Sequence, residues 1–162
     1  MNAINARKQL KYILNTNVLD PYPGTREGNH FYDESEGINL NRGKTFPKGY
    51  IFNDERGHEK IHFSKSGWAQ EEQRILVHYF AKEKIKYTDD DGEIYENREY
   101  ASYMQEQIYN ALEDNIVLGS GYYLLNIEDD SEPIRELVSP NAAFHLYEVN
   151  IPVTVKWKRQ YG

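Results

Sequence analysis

The sequence predicts an α+β fold: a mostly antiparallel β-sheet with helices packed on one face. Three observations predict it. In "FHLYEVNIPVTVKWKR" (144–159), Tyr147, Val149, Ile151, Val153, Val155 and Trp157 occupy alternate positions, with Glu148, Asn150, Pro152, Thr154, Lys156 and Lys158 between them. That is a strand with one buried face and one wet face. In "REYASYMQEQIYNALEDNI" (98–116), Tyr100, Met104, Ile108, Ala111 and Leu112 make one helical stripe that Asn115 and Ile116 extend. Finally, strands come in runs around that helix rather than alternating with helices, which is the order of an α+β domain.

A chain of 162 residues suits one domain, spanning 1–162, with a single core. Aromatic residues reach 14%, including 14 Tyr, which is too apolar a composition for a disordered chain. There is no cysteine, so disulfides and thiolate metal sites are excluded. Apolar runs are too short for a membrane helix, and "MNAINARKQLKYIL" has no apolar stretch of signal-peptide type. A net charge of -7 argues against a protein that grips phosphates. Its one short basic cluster is Lys156, Lys158 and Arg159.

Residues 3–18 carry Leu10, Ile13, Leu14 and Val18 at helical spacing, with Ile4 two turns before Leu10. Asp20-Pro21 and Pro23-Gly24 end that helix. From 20 to 49 the period disappears among Gly and Pro, so this long extended arm or loop reads either as a mobile surface loop or as an arm that orders against a partner. Tyr22, Phe31, Tyr32 and Phe46 are its candidate anchors.

"YIFND" (50–54) and "EKIHF" (59–63) read as a hairpin. Inside it lies His58-Glu59-x-x-His62, the zinc-peptidase pattern. Ligation there requires a helix, where residues four apart share one face about 6 Å apart. Ile61 and Phe63 alternate with Lys60 and His62, which is strand period, and four strand residues span about 13 Å. Two ligands that each sit about 2 Å from zinc cannot be that far apart. No zinc is therefore expected at His58 and His62.

Residues 72–86 read as a long central strand, with Ile75 to Ala81 apolar on both faces apart from His78, a packed or rim histidine. "TDDDGEIYENRE" (88–99) resembles a calcium loop only in part. With Gly92 at position six, Tyr87 and Arg98 fall at positions one and twelve, where acidic ligands belong. It reads as an acidic turn before the helix, which Asn97 caps. Residues 122–139 read as a strand, an acidic run at 128–132 and a short strand broken by Pro133. Pro152 donates no ladder bond, so the last strand is expected at a sheet edge or bulge, where a neighbouring subunit pairs. Glu148, Asn150, Pro152, Thr154, Lys156 and Lys158 are its candidate interface residues.

No glycine-rich phosphate loop or nucleophile context such as G-x-S-x-G is present. No catalytic, cofactor-binding or metal-ligating residue is assigned, and an enzyme is not expected; a small carboxylate-dependent hydrolase is the alternative from another class. The element order resembles the tail terminator, or tail-completion, proteins of tailed viruses. The resemblance rests on the N-terminal helix, on "FPKGYIFND", on "EEQRILVHYFAKEK" before "REYASYMQEQIYNALEDNI", and on the closing "LYEVNIPVTVKWKRQ". It implies a virion protein forming a homo-oligomeric ring, typically of six subunits, at the head-proximal end of the tail tube. Such a ring ends tube polymerisation and joins the tail to the head connector or stopper protein. DNA passes through its lumen without specific binding, and no membrane or cofactor is involved. A head-completion or stopper protein is the alternative within the class.

Overall fold

The computed structural model describes residues 2–26, 29–36, 46–54, 60–128, 133–138 and 145–160. Helix α1 (Ala3–Asn17) opens the chain, and α2 (Pro23–Arg26), β1 (Phe31–Asp33) and a 3-10 turn (Glu34–Glu36) follow. Then come β2 (Lys48–Asn53), β3 (Lys60–Phe63), β4 (Trp68–Lys82), β5 (Lys86–Thr88) and β6 (Ile94–Glu96). Helix α3 (Asn97–Glu113) precedes β7 (Val117–Gly119), β8 (Tyr122–Ile127), β9 (Ile134–Val138) and β10 (His145–Gln160). The main sheet runs β1-β2-β4-β10-β8-β7, with β3 also on β4 and β9 also on β10, and β5 and β6 form a separate ribbon. Only β1–β2 is a parallel pair among the described strands. The α+β class with a dominant, mostly antiparallel sheet is therefore as the sequence predicts.

The spine is the β4–β10 pair, in register from Leu146↔Lys82 to Gln160↔Trp68. Its inner face carries Val149, Ile151, Val153, Val155 and Trp157 beside Tyr79, Val77 and Ile75, all buried. Helix α3 lays Tyr100, Ala101, Met104, Ile108, Ala111 and Leu112 on that face, and α1 adds Ala6, Leu10, Ile13 and Leu14. The alternate face of β10 is core, as its period indicates. Ile116 lies past the end of α3 and Ile4 points outward, so neither belongs to the stripes assigned to them.

Strand β10 is central rather than an edge. On its far side β9 pairs with His145–Val149 and β8 with Val153–Lys156. The amide of Asn150 donates to the Pro133 carbonyl at 2.9 Å, and the Pro152 carbonyl accepts from Glu128 at 2.9 Å. In a strand, residues two apart direct their backbone polar groups to the same side. The amide that Pro152 lacks would thus face the seam between β9 and β8, where no ladder pairing is formed among the described residues. That seam, not an edge, is how the sheet accommodates a mid-strand proline.

Strands β2 and β3 do not pair with each other, so the expected hairpin over 50–63 is not formed. They lie end to end along β4, with β2 on Ile75–Phe80 and β3 on Ala69–Glu72. The hairpin is β3–β4, closed by a turn in which the Ser64 amide donates to the Trp68 carbonyl at 2.9 Å and Gly67 takes φ 83. Asn97 does not cap α3 through its side chain. Its Oδ1 instead accepts from the Lys84 amide at 2.9 Å, tying the helix start to the β4–β5 turn.

The stretch from 20 to 49 is not a free arm where it is described. The Asp20 carboxylate accepts from the Tyr22 amide at 2.9 Å and is gripped by Arg26 through Nε at 2.8 Å and a terminal nitrogen at 2.6 Å. Asn15 of α1 accepts from the Phe31 amide at 2.9 Å and donates to its carbonyl at 3.1 Å. Buried Arg7 reaches Asp33 at 2.8 Å and Glu34 at 3.0 Å. Residues 37–45 lie outside the described residues.

Candidate assembly surface

Both long helices pack on the inner face of the spine, so among the described residues no helix covers the outer face. It is built from the even positions of β4 and β10: Glu148 opposite Phe80, Asn150 opposite His78, Pro152 opposite Leu76, Thr154 opposite Arg74, Lys156 opposite Glu72 and Lys158 opposite Gln70. The two ends of this row differ.

At the β2–β9 end, Phe46, Tyr50, Phe80 and Leu146 form a second buried cluster, with Tyr32, Phe52 and Leu137 packed against it. Lys48 is buried beside it, its ammonium 4.6 Å from the Phe46 ring centre and 5.8 Å from that of Tyr50. Burial, and secondarily the Arg26 charge, lowers the Lys48 pKa from its ordinary value. The Glu148 carboxylate contacts His78 Nδ1.

At the β3–β8 end the face opens. Arg74 stands at the division, its guanidinium contacting Asp54 and holding Glu128 at 2.7 Å. Beyond it Trp68, Gln70, Tyr123, Lys156 and Lys158 line a groove of about 440 Å³. Trp68 is 46% exposed and Tyr123 42% exposed. Beneath the groove, buried Glu71 accepts from Trp157 Nε1 at 2.7 Å and pairs with Arg159 at 2.8 Å. This fixes the floor of the groove from the core side.

The candidate interface residues named from sequence therefore scatter. Phe31 is fully buried in this chain's own core, its ring centre 5.4 Å from that of Tyr79. It cannot anchor a partner. Tyr22 packs against Tyr87 at 6.1 Å, and Tyr32 against Tyr50 at 5.8 Å. Phe46, Glu148 and Pro152 are buried, whereas Asn150 and Thr154 are half-buried. Only Lys156 and Lys158 line the open groove. Trp68 and Tyr123 were not singled out from sequence, because they come from different strands and meet only through the registers Gln160↔Trp68 and Lys156↔Tyr123.

His58 and Glu59 lie outside the described residues; the backbone at His62 is in β3. Among the described residues, no group of three His, Asp or Glu side chains is placed to hold a metal ion. No described helix is long and apolar enough to cross a membrane. No protein family matches the chain, and no curated protein is significantly similar to it.

Proposed function

We propose that this chain is a structural ring protein that ends a viral tail tube and joins it to the head. The observation that supports assembly is the half-bare sheet: the inner face is covered by α1 and α3, while the β3–β8 end of the outer face presents Trp68 and Tyr123 to solvent. Aromatic side chains grouped on an uncovered sheet face are the composition of protein interfaces. The choice of a viral tail rests on the resemblance of element order and of the segments quoted above. Its other members would be the tail tube protein on one rim of the ring and the head connector on the other.

Two measurements test this reading. Light scattering and negative-stain microscopy of the purified chain should give closed rings. A virus lacking the chain should make filled heads and unjoined tails with tubes of uncontrolled length. Joined tails of normal length in that virus overturn the terminator role, and normal tails beside leaking heads assign the chain to the head side.

A further inference from the structure

We propose that copies of this chain join head to tail, the acidic tip of the β5–β6 ribbon of one subunit docking into the Trp68–Tyr123 groove of the next. This rests on the ring reading and deepens it by naming the contact.

The two surfaces are complementary in charge and in apolar content. The tip, 88–93, holds Asp89, Asp90, Asp91 and Glu93 and no cation. Asp89 is turned inward, accepting from the amides of Asp91 at 3.0 Å and Glu93 at 2.9 Å. That leaves a firm loop whose exposed carboxylates are Asp90, Asp91 and Glu93, with Ile94 61% exposed beside them. The groove offers the converse: Lys156 and Lys158 flanked by the rings of Trp68 and Tyr123. The carboxylate opposite Lys156 is Glu72, which also accepts from Gln70 at 3.1 Å; two lysines against this one carboxylate leave the groove net positive.

Position excludes self-docking. The groove sits at the start of β4 on the outer face. The ribbon follows the end of β4 and packs with α3 on the inner side. The intervening 15-residue strand is about 45 Å long at strand rise. A tip and a groove that cannot meet within one subunit make a heterologous contact, which closes into a ring when the rotation per step divides the circle. Opposite charges at its two sides also fix the direction of addition.

The test is a charge swap. One variant carries Lys156→Glu and Lys158→Glu; the other carries Asp90→Lys and Asp91→Lys. Each alone should lose the wild-type ring by light scattering. An equimolar mixture should regain it, because each reversed groove then meets a reversed tip, and alternation closes in any even ring. Variants that form rings alone, or a mixture that stays monomeric, overturn the proposal while wild-type rings leave the ring reading standing. A wild type that never assembles sinks both. Circular dichroism checks each variant's fold. Where a reversed variant is misfolded, the neutral pairs Lys156→Gln/Lys158→Gln and Asp90→Asn/Asp91→Asn replace it. Each must then weaken ring formation at least about tenfold, equivalent to 1.4 kcal/mol, or the proposal fails.

Discussion

The two faces of the β4–β10 spine share a backbone and a register, yet they spend their side chains differently. Inward, successive pairs such as Val153 with Ile75 and Ile151 with Val77 are apolar and sealed under two helices. Outward, the row begins among buried aromatics beside Lys48 and ends in an open groove between Trp68 and Tyr123. The inner face of β10 is apolar from Val149 to Trp157 because the helices cover it, although β4 sets buried Gln73 and Glu71 opposite Val155 and Trp157. The outer face is graded because its neighbours change along its length, with β2 and β9 at one end and β3 and β8 at the other. Along β10, polarity therefore reports burial on the covered face and fails to report it on the uncovered one, where Glu148 is buried.

The sharpest way to break this contrast is a carboxylate moved by one residue. Val153→Asp places it in the sealed core and should cost about 4 kcal/mol or more, which lowers the denaturant midpoint severely. Thr154→Asp places it on the outer face opposite Arg74 and should cost under about 1 kcal/mol. Equal losses would show that the faces are not distinct. A smaller effect tests how tightly the inner face is filled. A Cβ on Gly49 would lie 2.4 Å from Phe31 Cδ1 and 3.2 Å from the His78 carbonyl oxygen. Gly49→Ala should therefore cost about 1–3 kcal/mol through overpacking. Adding Phe31→Leu should recover part of that, and a Gly49→Ala protein as stable as wild type would contradict the β1–β2 pairing.

The smallest effect is a difference of sign. Burial pushes the phenols of Tyr79, Tyr87 and Tyr100 well above their ordinary value. A phenol raised on folding contributes fully below its unfolded pKa of about 10 and loses that contribution as pH rises beyond it. Lys48 on the outer face is lowered, so the unfolded chain binds the extra proton and stability gains as pH rises towards about 10.4. Stability measured across the alkaline range should fall as phenolate absorbance appears. Lys48→Met should remove the opposing rise, making the approach to that fall flatter. An unchanged slope in the variant would show that Lys48 is as well solvated folded as unfolded.

The long elements were legible because period survives over many residues. The five inward positions of β10 from Val149 to Trp157 and the stripe of α3 are read directly. The stretch from 20 to 49 was not, because its described elements are three or four residues long and are held by individual bonds. Asn15 to Phe31, Arg7 to Asp33 and Arg26 to Asp20 leave no period to find. Pro152 points to an edge or a bulge, yet β10 is paired on both flanks, because a seam between two short strands also spares a missing donor, and one strand's sequence cannot reveal how its neighbour is divided. Of the groove, the lysines were visible as a basic cluster, while Trp68 and Tyr123 depend on pairings across three strands. Glu71, acidic in sequence and buried in fact, is explained only by Trp157 and Arg159 beside it.

The seam at Pro152 has a counterpart. On the other flank of the spine, β3 ends its pairing at Glu72 and β2 begins at Ile75. That break lies opposite Val155 and Thr154, two to three residues from Pro152, or roughly 7–10 Å. On the far flank the β8 pairing itself shifts register between Thr154 and Val155. The two irregularities therefore face each other across the spine at one level. Arg74, clasping Asp54 and Glu128 from the two flanks, is the rivet at that level, holding the flanks together where the ladders on both sides are interrupted.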